Sequence, residues 1–322
     1  GVKNLYTVDE QMTPDGSFPT VYYPNPEFPE AFKLGIELAE KVSSELVVAT
    51  DPDCDRVGVM AKGKDGEFHP VTGNQMGALL LDYIITAYEK EGKLPSDAYA
   101  VKSVVSANLA EKIADAHGVK FYNVLTGFKF IGEVIKEHLA AGHGTFLLGF
   151  EESYGYLKGT YARDKDAVVA SMLICEMAAF YKAKNMTLID ALDELFERYG
   201  YFGERVKNIQ ITGLDAAGQM AKIMKGLREN SPASLGGVKV AETRDYLDST
   251  VRRSDGSVGE TGLPKTNMLY YVLENGDVYI VRPSGTEPKI KVYILSQAKT
   301  REALGAQLDA LDREADAMFS KQ

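Results

Sequence analysis

Three aspartates lie at alternating positions in the segment TDPDCDR, directly after an apolar run that ends at Thr50. They are Asp51, Asp53 and Asp55, and Arg56 follows them at once. Like charges this close together repel one another unless a cation lies among them. Hard carboxylate oxygens suit Mg²⁺, which needs few protein ligands when substrate or water completes its coordination. The spacing therefore predicts a magnesium site, and the alternative is a solvated acidic loop.

Other metal chemistry fits the sequence less well. An EF-hand loop is excluded because Arg56 and Lys62 stand where such a loop has Gly at its sixth position and Glu at its twelfth. The only cysteines, Cys54 and Cys175, are far apart and form no CxxC pair. We therefore expect no disulfide framework, and a reducing, cytoplasmic location.

A second candidate site is the segment GFEESYGY at residues 149–156, which follows the apolar run TFLLGF. Glu151 and Ser153 lie two residues apart, so an extended loop would place them on the same side. A carboxylate accepts hydrogen bonds and a hydroxyl does either, which suits the hydroxyl groups of a sugar. A helix cap is the alternative explanation of this pair.

Two lysine-containing segments, TGFKFIG and YARDKDAV, add possible proton or phosphate chemistry. In the second segment Lys165 lies between Asp164 and Asp166, and it is a candidate proton shuttle or phosphate ligand. Surface charge is the favoured explanation of each segment when it is taken alone.

The segment VRPSGTEPKIKV lies between two predicted strands and is rich in anion-binding groups. Glycine permits tight backbone geometry, which can aim amide groups at an anion. Hydroxyls and a guanidinium add donors, and arginine suits bidentate contact with phosphate. We predict a phosphate-binding loop here, against the alternative of an ordinary turn; its candidate ligands are Arg282, Ser284, Gly285 and Thr286.

Strand and helix patterns alternate over the first two thirds of the chain, which is typical of parallel sheets covered by helices. The C-terminal third changes style, because NMLYYVLENGDVYIVRP reads as a hairpin around an Asn-Gly turn. We predict an α/β fold with two α/β domains, each with a mainly parallel mixed sheet, and a C-terminal α+β domain with an antiparallel sheet. The predicted domains are residues 1–96, 97–198 and 199–322. NLYTV near the start is predicted to be a short strand.

The charge and the hydropathy of the sequence exclude two classes of binding partner. The formal net charge is −10, which argues against a broad nucleic-acid surface because phosphate backbones require a basic face. The longest mostly apolar stretch, AVVASMLICEMAAFY, contains Glu176 and is too short for a membrane span. We therefore expect no nucleic acid and no membrane partner, and a core helix over this stretch.

The motifs DPDCDR, GFEESYGY and RPSGTEPK, in this order, resemble those of the α-D-phosphohexomutase superfamily, which includes phosphoglucomutases and phosphomannomutases. The resemblance covers essentially the whole chain and is closest to the bacterial α-phosphoglucomutases. It implies a magnesium loop, a sugar-binding loop and a phosphate-binding loop, respectively. It also implies that two residues are catalytic: Lys165 as a general acid or base, and Arg56, which would help to hold the metal loop or contact the transferring phosphate. Further substrate contacts implied in the TGFK and RDKD segments are Thr126, Gly127, Lys129 and Arg163.

One feature of the superfamily does not occur in these residues. Its members carry a phosphoserine in a Ser-His-Asn-Pro context, and this sequence contains no such motif. The resemblance therefore implies a C-terminal portion that comprises most of the second domain, the third and the fourth. We expect this portion alone to have no mutase activity.

The resemblance implies a reaction that interconverts glucose 1-phosphate and glucose 6-phosphate. The phosphoserine passes its phosphoryl group to the phosphosugar, which becomes glucose 1,6-bisphosphate, turns round and returns the other phosphate. Mg²⁺ would offset the charge of the transferring group. Mannose or pentose phosphates are alternative substrates.

Two alternatives belong to other classes of protein. Haloacid-dehalogenase-like phosphatases also place a DxD motif after a strand, although their fifth position is usually Thr or Val and is Asp55 here. A non-catalytic sugar-phosphate binding module is the second alternative. Only a mutase would gain activity when a phosphoserine-bearing part is supplied.

Overall fold

The computed structural model describes residues 2–213, 215–285 and 287–320. The chain forms two compact units, residues 1–199 and 200–322. The boundary predicted at residue 96 therefore lies within the first unit. The predicted strand over NLYTV is wrong, because these residues have no regular structure and Leu5 is 78% exposed.

The first unit begins with an antiparallel sheet. Its strands lie in the order β1-β2-β3, and both neighbouring pairs are antiparallel. The loop between β1 and β2 has too few residues for the crossover that a parallel pair needs, which is a dozen or more. The aspartates thus lie in a hairpin loop, not at the edge of a parallel sheet. The elements of this part are α1 (Lys33–Val42), β1 (Leu46–Thr50), β2 (Val57–Lys62), β3 (Phe68–Val71) and α2 (Gly73–Lys90).

The same unit contains a second sheet in the order β5-β4-β6-β7. Strand β4 is parallel to β5 and to β6, and only β7 is antiparallel to its neighbour. This sheet confirms the predicted alternation of parallel strands and helices. Its elements are β4 (Ala98–Ser103), α3 (Leu109–Ala116), β5 (Lys120–Val124), α4 (Phe128–Ala141), β6 (Thr145–Phe150), β7 (Tyr156–Leu157), α5 (Ala167–Lys182) and α6 (Leu188–Tyr199).

Helix α5 covers the apolar stretch that predicted a core helix. Ile174 and Met177 on its inner face are fully buried. No helix within residues 2–213, 215–285 and 287–320 is both long enough and apolar enough to cross a bilayer.

The second unit is built on one sheet in the order β12-β11-β10-β13-β14-β15-β8, with β9 paired to β10. Its described pairs are all antiparallel, as predicted. The predicted Asn-Gly hairpin joins β13 to β14. The fold class is therefore confirmed, whereas the mainly parallel sheet predicted for residues 1–96 is wrong, because β1, β2 and β3 pair only in the antiparallel sense. The elements are β8 (Tyr201–Gln210), α7 (Ala216–Glu229), β9 (Ser234–Leu235), β10 (Val238–Asp245), β11 (Thr250–Arg253), β12 (Val258–Glu260), β13 (Leu269–Leu273), β14 (Val278–Pro283), β15 (Lys289–Ala298) and α8 (Arg301–Phe319).

Lys102, near the end of β4, is a fully buried lysine. Its ammonium donates to the carbonyl oxygen of Ser106 at 3.1 Å and to Asn108 Oδ1 at 3.0 Å. Burial lowers the pKa of Lys102 to about 8, although the charges of Glu111 and Glu152 oppose that change. Between this value and the ordinary lysine pKa, only the unfolded chain holds the proton.

Stability should therefore rise with pH through this window. Relative to a Lys102→Met variant, we expect the free energy of unfolding of the wild type to increase by about 1–2 kcal/mol between about pH 7.5 and about pH 9.5. Urea unfolding of both proteins at several pH values measures this difference. Two curves that stay parallel would show that Lys102 keeps its proton.

Candidate active site

The segment 51–56 is held in a compact shape by its own backbone. Asp51 Oδ1 accepts the amide hydrogens of Asp55 at 3.1 Å and of Arg56 at 3.0 Å. The amide of Cys54 donates to the carbonyl oxygen of Asp51, and Cys54 itself has a left-handed φ of 58°. The first aspartate therefore shapes the loop as well as offering its carboxylate to it.

The three aspartates offer carboxylate oxygens that lie within 4.8 Å of one another. Asp53 is exposed, whereas Asp51 and Asp55 are half-buried. Two oxygens that bind one Mg²⁺ at about 2.1 Å lie at most roughly 4.2 Å apart. A small contraction of the cluster would therefore complete such a site.

Two observations fit a cation in this cluster. Burial raises the pKa of Asp51, and the charges of Asp55 and Asp53 add to the rise while the amides of Arg56 and Asp55 oppose it. Asp55 Oδ1 is buried and accepts no hydrogen bond from the described part of the chain. A buried carboxylate oxygen that accepts no hydrogen bond is costly, and a bound cation would offset this cost. The donor set, made only of carboxylate oxygens, is one that Mg²⁺ prefers.

Arg56 lies among three carboxylates. Its Nε is 3.6 Å from Asp51 Oδ2 and 3.7 Å from Asp55 Oδ1, which is beyond hydrogen-bond length, and its Nη1 donates to Glu27 Oε1 at 3.3 Å. The sequence did not indicate Glu27, which comes from an irregular segment before α1. The guanidinium is thus held beside the loop by charge.

Lys165 approaches the same loop from the segment before α5. Its ammonium lies 2.8 Å from Asp55 Oδ2 and 3.0 Å from Asp164 Oδ1. Gly155 makes room for it, since a Cβ there would come within 2.3 Å of the Lys165 side chain. Burial alone would lower the pKa of Lys165, but its bonds to Asp55 and Asp164 raise it above the ordinary value. The lysine is therefore a charged group in contact with the aspartate cluster.

The sugar-loop residue Glu151 is buried, and its Oε1 accepts the amide hydrogen of Gly127 at 2.7 Å. Burial raises the pKa of Glu151; the charge of Glu152 adds to this rise, and the Gly127 amide, Lys165 and Arg56 oppose it. Thr126 Oγ1, next to Gly127, is buried without a hydrogen-bond partner in the described residues. The TGFK and GFEESYGY segments therefore meet, although they are distant in sequence.

Backbone bonds join these loops to the aspartate loop. The amide of Val57 donates to the carbonyl oxygen of Tyr154 at 3.0 Å, and Arg56 pairs with Gly155 as an isolated antiparallel bridge. The amide of Ala167 donates to the carbonyl oxygen of Cys54 at 3.2 Å. Four segments of the first unit thus form one cluster of acidic, basic and hydroxyl groups.

Three predicted ligands form no hydrogen bond with this cluster among the described contacts. Lys129 is exposed on α4, with its ammonium over the ring of Phe130. The Arg163 guanidinium donates to the carbonyl oxygens of Thr160 and Ala162 in its own turn. Ser153 lies half-buried in the sugar loop. Their binding roles stay predictions.

The predicted phosphate loop is the hairpin between β14 and β15. The amide of Ser284 donates to the carbonyl oxygen of Lys289 at 2.8 Å, and the amide of Glu287 donates to Ser284 Oγ at 3.2 Å. Gly285 has open space around it and no left-handed φ, so the tight geometry expected there is not observed. The remaining predicted ligand, Thr286, lies outside the described residues.

Arg282 lies opposite Lys291 in the register of β14 and β15. Like charges directly across a sheet repel, and an anion bound between them would relieve this repulsion. Lys289 is close by but pairs with Glu287 at 2.6 Å. The sequence analysis did not select Lys291. The alternating segment KIKV indicates it, because polar and apolar residues that alternate along a strand lie on opposite faces.

Curated relatives match almost the whole chain. The phosphoglucomutase of Staphylococcus saprophyticus is 35% identical over 308 residues, which make up 95% of this chain and 55% of the relative. A phosphoglucomutase of Staphylococcus aureus is 34% identical over 305 residues, 94% of this chain and 54% of the relative. The chain spans about half the length of the curated relatives that it matches.

Solved structures share the fold. The phosphoprotein pp63/parafusin of Paramecium, named as a phosphoglucomutase in its open form, matches with a TM-score of 0.62 and 20% identity over 92% of this chain and 51% of its own. A phosphoglucomutase/phosphomannomutase family protein of Burkholderia thailandensis matches with a TM-score of 0.60 and 18% identity, over 94% of this chain and 53% of its own. At these identities the likeness concerns the fold alone.

Three family models match successive parts of the sequence. The alpha/beta/alpha domain II of phosphoglucomutase/phosphomannomutase matches residues 1–65, and the alpha/beta/alpha domain III matches residues 72–199. The C-terminal domain of the same family matches residues 230–314. With the relatives above, these matches show that the chain belongs to the phosphoglucomutase/phosphomannomutase family.

Proposed function

We propose that this chain supplies the metal-binding, sugar-binding and phosphate-binding parts of a phosphohexomutase that interconverts glucose 1-phosphate and glucose 6-phosphate. The observation that carries the proposal is the meeting of Asp51, Asp53 and Asp55 with Lys165 in one cluster of the first unit. Phosphoryl transfer needs little covalent chemistry from a protein, and it depends on positioning and on charge stabilisation. This cluster contains groups suited to both tasks.

Asp51, Asp53 and Asp55 would hold Mg²⁺ in this proposal. Bound there, the ion would supply charge stabilisation for the phosphoryl group that moves between a serine and a sugar hydroxyl. Arg56 would contact the same phosphoryl group, since its guanidinium already lies beside two of the three carboxylates.

Lys165 is the group that we assign to proton transfer at the reacting sugar hydroxyl. The raised pKa of Lys165 depends on its bonds to Asp55 and Asp164. Loss of the bond to Asp55 would remove one of the contacts that raise this pKa. The pKa of the Lys165 amine would then lie closer to neutral pH, where the group can both donate and accept a proton.

Glu151 and Ser153 would orient the sugar through its hydroxyl groups. Glu151 suits this role because its carboxylate is fixed by the Gly127 amide and has a second oxygen, Oε2, to accept a hydroxyl hydrogen. The unpaired Thr126 Oγ1 is a further polar group beside it.

In the second unit, Arg282, Ser284, Gly285 and Thr286 would form a phosphate subsite. The like-charged pair Arg282 and Lys291 supports this assignment. Mannose and pentose phosphates stay alternative substrates. They carry the same phosphate charge as glucose phosphates, so the charged groups of the sugar loop and the phosphate loop do not distinguish among them.

The reaction requires a phosphoserine, and no Ser-His-Asn-Pro motif occurs in these 322 residues. We therefore expect the purified chain with Mg²⁺ and glucose 1,6-bisphosphate to convert no glucose 1-phosphate in a coupled dehydrogenase assay. Fusing it to the part of the Staphylococcus saprophyticus relative outside the matched region should produce activity. Conversion by the chain alone would contradict the proposal, and release of inorganic phosphate would favour the phosphatase alternative.

A further inference from the structure

Beneath the sugar loop lies a buried polar group that the proposed reaction does not use. Ser103, the last residue of β4, is 1% exposed, and Ser106, in the loop that follows, is 0% exposed. Ser103 Oγ is 2.9 Å from Glu152 Oε2, and Ser106 Oγ is 3.3 Å from the same oxygen. The amide of Glu152 donates to Ser106 Oγ at 3.1 Å. We call Ser103, Ser106 and Glu152 the Ser-Glu clamp.

Both hydroxyl hydrogens of the clamp can be used at once, although only one of the two serines then donates to Glu152. The two hydroxyl oxygens lie 2.9 Å apart, and each hydroxyl has one hydrogen. Ser103 can donate to Glu152 while Ser106 donates to Ser103 and accepts the Glu152 amide. Hydrogen-bond networks whose donors are all used fix the arrangement of the groups that they connect.

Positive charge and close packing hold the clamp in place. The buried Lys102 ammonium binds the carbonyl oxygen of Ser106 at 3.1 Å, which ties the serine loop to β4. On the other side, a Cβ at Gly73 would come within 2.1 Å of the carbonyl oxygen of Glu152, so only glycine lets the start of α2 pack there. Glu152 is thus fixed through its carboxylate, its amide and its carbonyl group.

The residues beside Glu152 are the two proposed sugar ligands. We propose that Glu152 is a positioning residue, which acts through the Ser-Glu clamp to place Glu151 and Ser153 for sugar binding. This inference rests on the proposed function of those two residues. It assigns a task to a carboxylate that contacts neither metal ligand nor phosphate loop among the described hydrogen bonds and ion pairs.

The bond from the Gly127 amide to Glu151 Oε1 reports directly on this placement, because it joins Glu151 to a different loop. We expect Glu152→Ala to reduce the exchange protection of the Gly127 amide about tenfold, and the affinity for glucose 6-phosphate by a similar factor. Glu152→Gln keeps an oxygen that accepts the Ser103 hydroxyl and should restore most of both. Ser103→Ala, a milder change, should give a smaller loss in the same direction. Glu137→Ala, an exposed change on α4, is the matched control and should alter neither quantity.

Hydrogen exchange by NMR, together with calorimetry of glucose 6-phosphate binding, separates the possible results. Loss of Gly127 protection with β4 amides unchanged supports the inference. It does so even if the wild type binds no sugar phosphate, in which case only the proposed function fails. Unchanged Gly127 protection in both Glu152→Ala and Ser103→Ala overturns it. Equal losses at Gly127 and throughout β4 also overturn it, because the clamp would then serve only the stability of the fold.

Discussion

Replacing Asp53 with asparagine is expected to remove Mg²⁺ binding by this chain while leaving its fold intact. Asp53 is the exposed member of the aspartate cluster, and it forms no hydrogen bond or ion pair with other described residues. Losing a direct carboxylate ligand should weaken binding at least as much as losing an outer partner of a ligand does, so we expect a drop of about 100-fold or more. Isothermal titration with MgCl₂ measures it.

Stability provides the second half of this test. The charge of Asp53 contributes to the raised pKa of Asp51, so its removal relieves repulsion among the aspartates of the loop. The free energy of unfolding should stay within about 0.5 kcal/mol of the wild type, or rise. Asp51→Asn would be a less clear test, because Asp51 Oδ1 also holds two backbone amides. Asp115→Asn, exposed on α3, is the control; equal Mg²⁺ affinity in all three proteins would show that the cluster is only an acidic loop.

Replacing Arg282 with alanine is expected to weaken the affinity for glucose 6-phosphate by about tenfold to 100-fold, which corresponds to losing one charge-assisted contact of about 1.5–3 kcal/mol. The reason is that Arg282 lies opposite Lys291 in the sheet register, so a phosphate bound there would relieve the repulsion between the two cations. Arg282→Lys should recover only part of the affinity, because an ammonium cannot bind phosphate in a bidentate way.

A control for this variant comes from the same unit. Arg313 is exposed on α8, so Arg313→Ala removes the same charge from the unit at another place. If long-range attraction alone accounts for phosphate binding, both variants should lose affinity equally, and their loss relative to the wild type should disappear in high salt. An Arg282→Ala protein that binds as well as the wild type would mean that residues 282–285 form only a turn.

The local parts of the fold could be predicted from the sequence. The hairpin of β13 and β14 could be predicted from Asn275-Gly276, because Asn-Gly between two apolar runs is a strong hairpin signal. The loop itself has three residues, 274–276, and Gly276 takes the left-handed φ of 86°. NLYTV has strand-forming residues, but Leu5 and Tyr6 are exposed, so no packing stabilises a strand there. The antiparallel pairing of β1 and β2 could also be predicted, since the connection between them is too short for the crossover that parallel strands need.

The site shows the same division between local and distant information. The spacing of Asp51, Asp53 and Asp55 brings their carboxylates together within one short loop, so the sequence sufficed. The ion pair of Lys165 with Asp55 joins residues that are far apart in the chain, and no local pattern reports it. Glu152 cannot be singled out from the sequence, because its partners, Ser103 at the end of β4 and Ser106 in the loop after it, are 49 and 46 residues away along the chain.

The joining of four distant loops in the first unit has a consequence for how the protein is made. Each of those contacts closes a long stretch of chain, and closing it costs entropy before any contact compensates. The aspartate cluster can therefore reach its final shape only when β1, β2, the sugar loop and the start of α5 are all assembled. Any ion that binds the assembled cluster more tightly than the unfolded chain would favour the folded state by mass action. Magnesium supply during synthesis would then influence the yield of native protein as well as the chemistry that it performs.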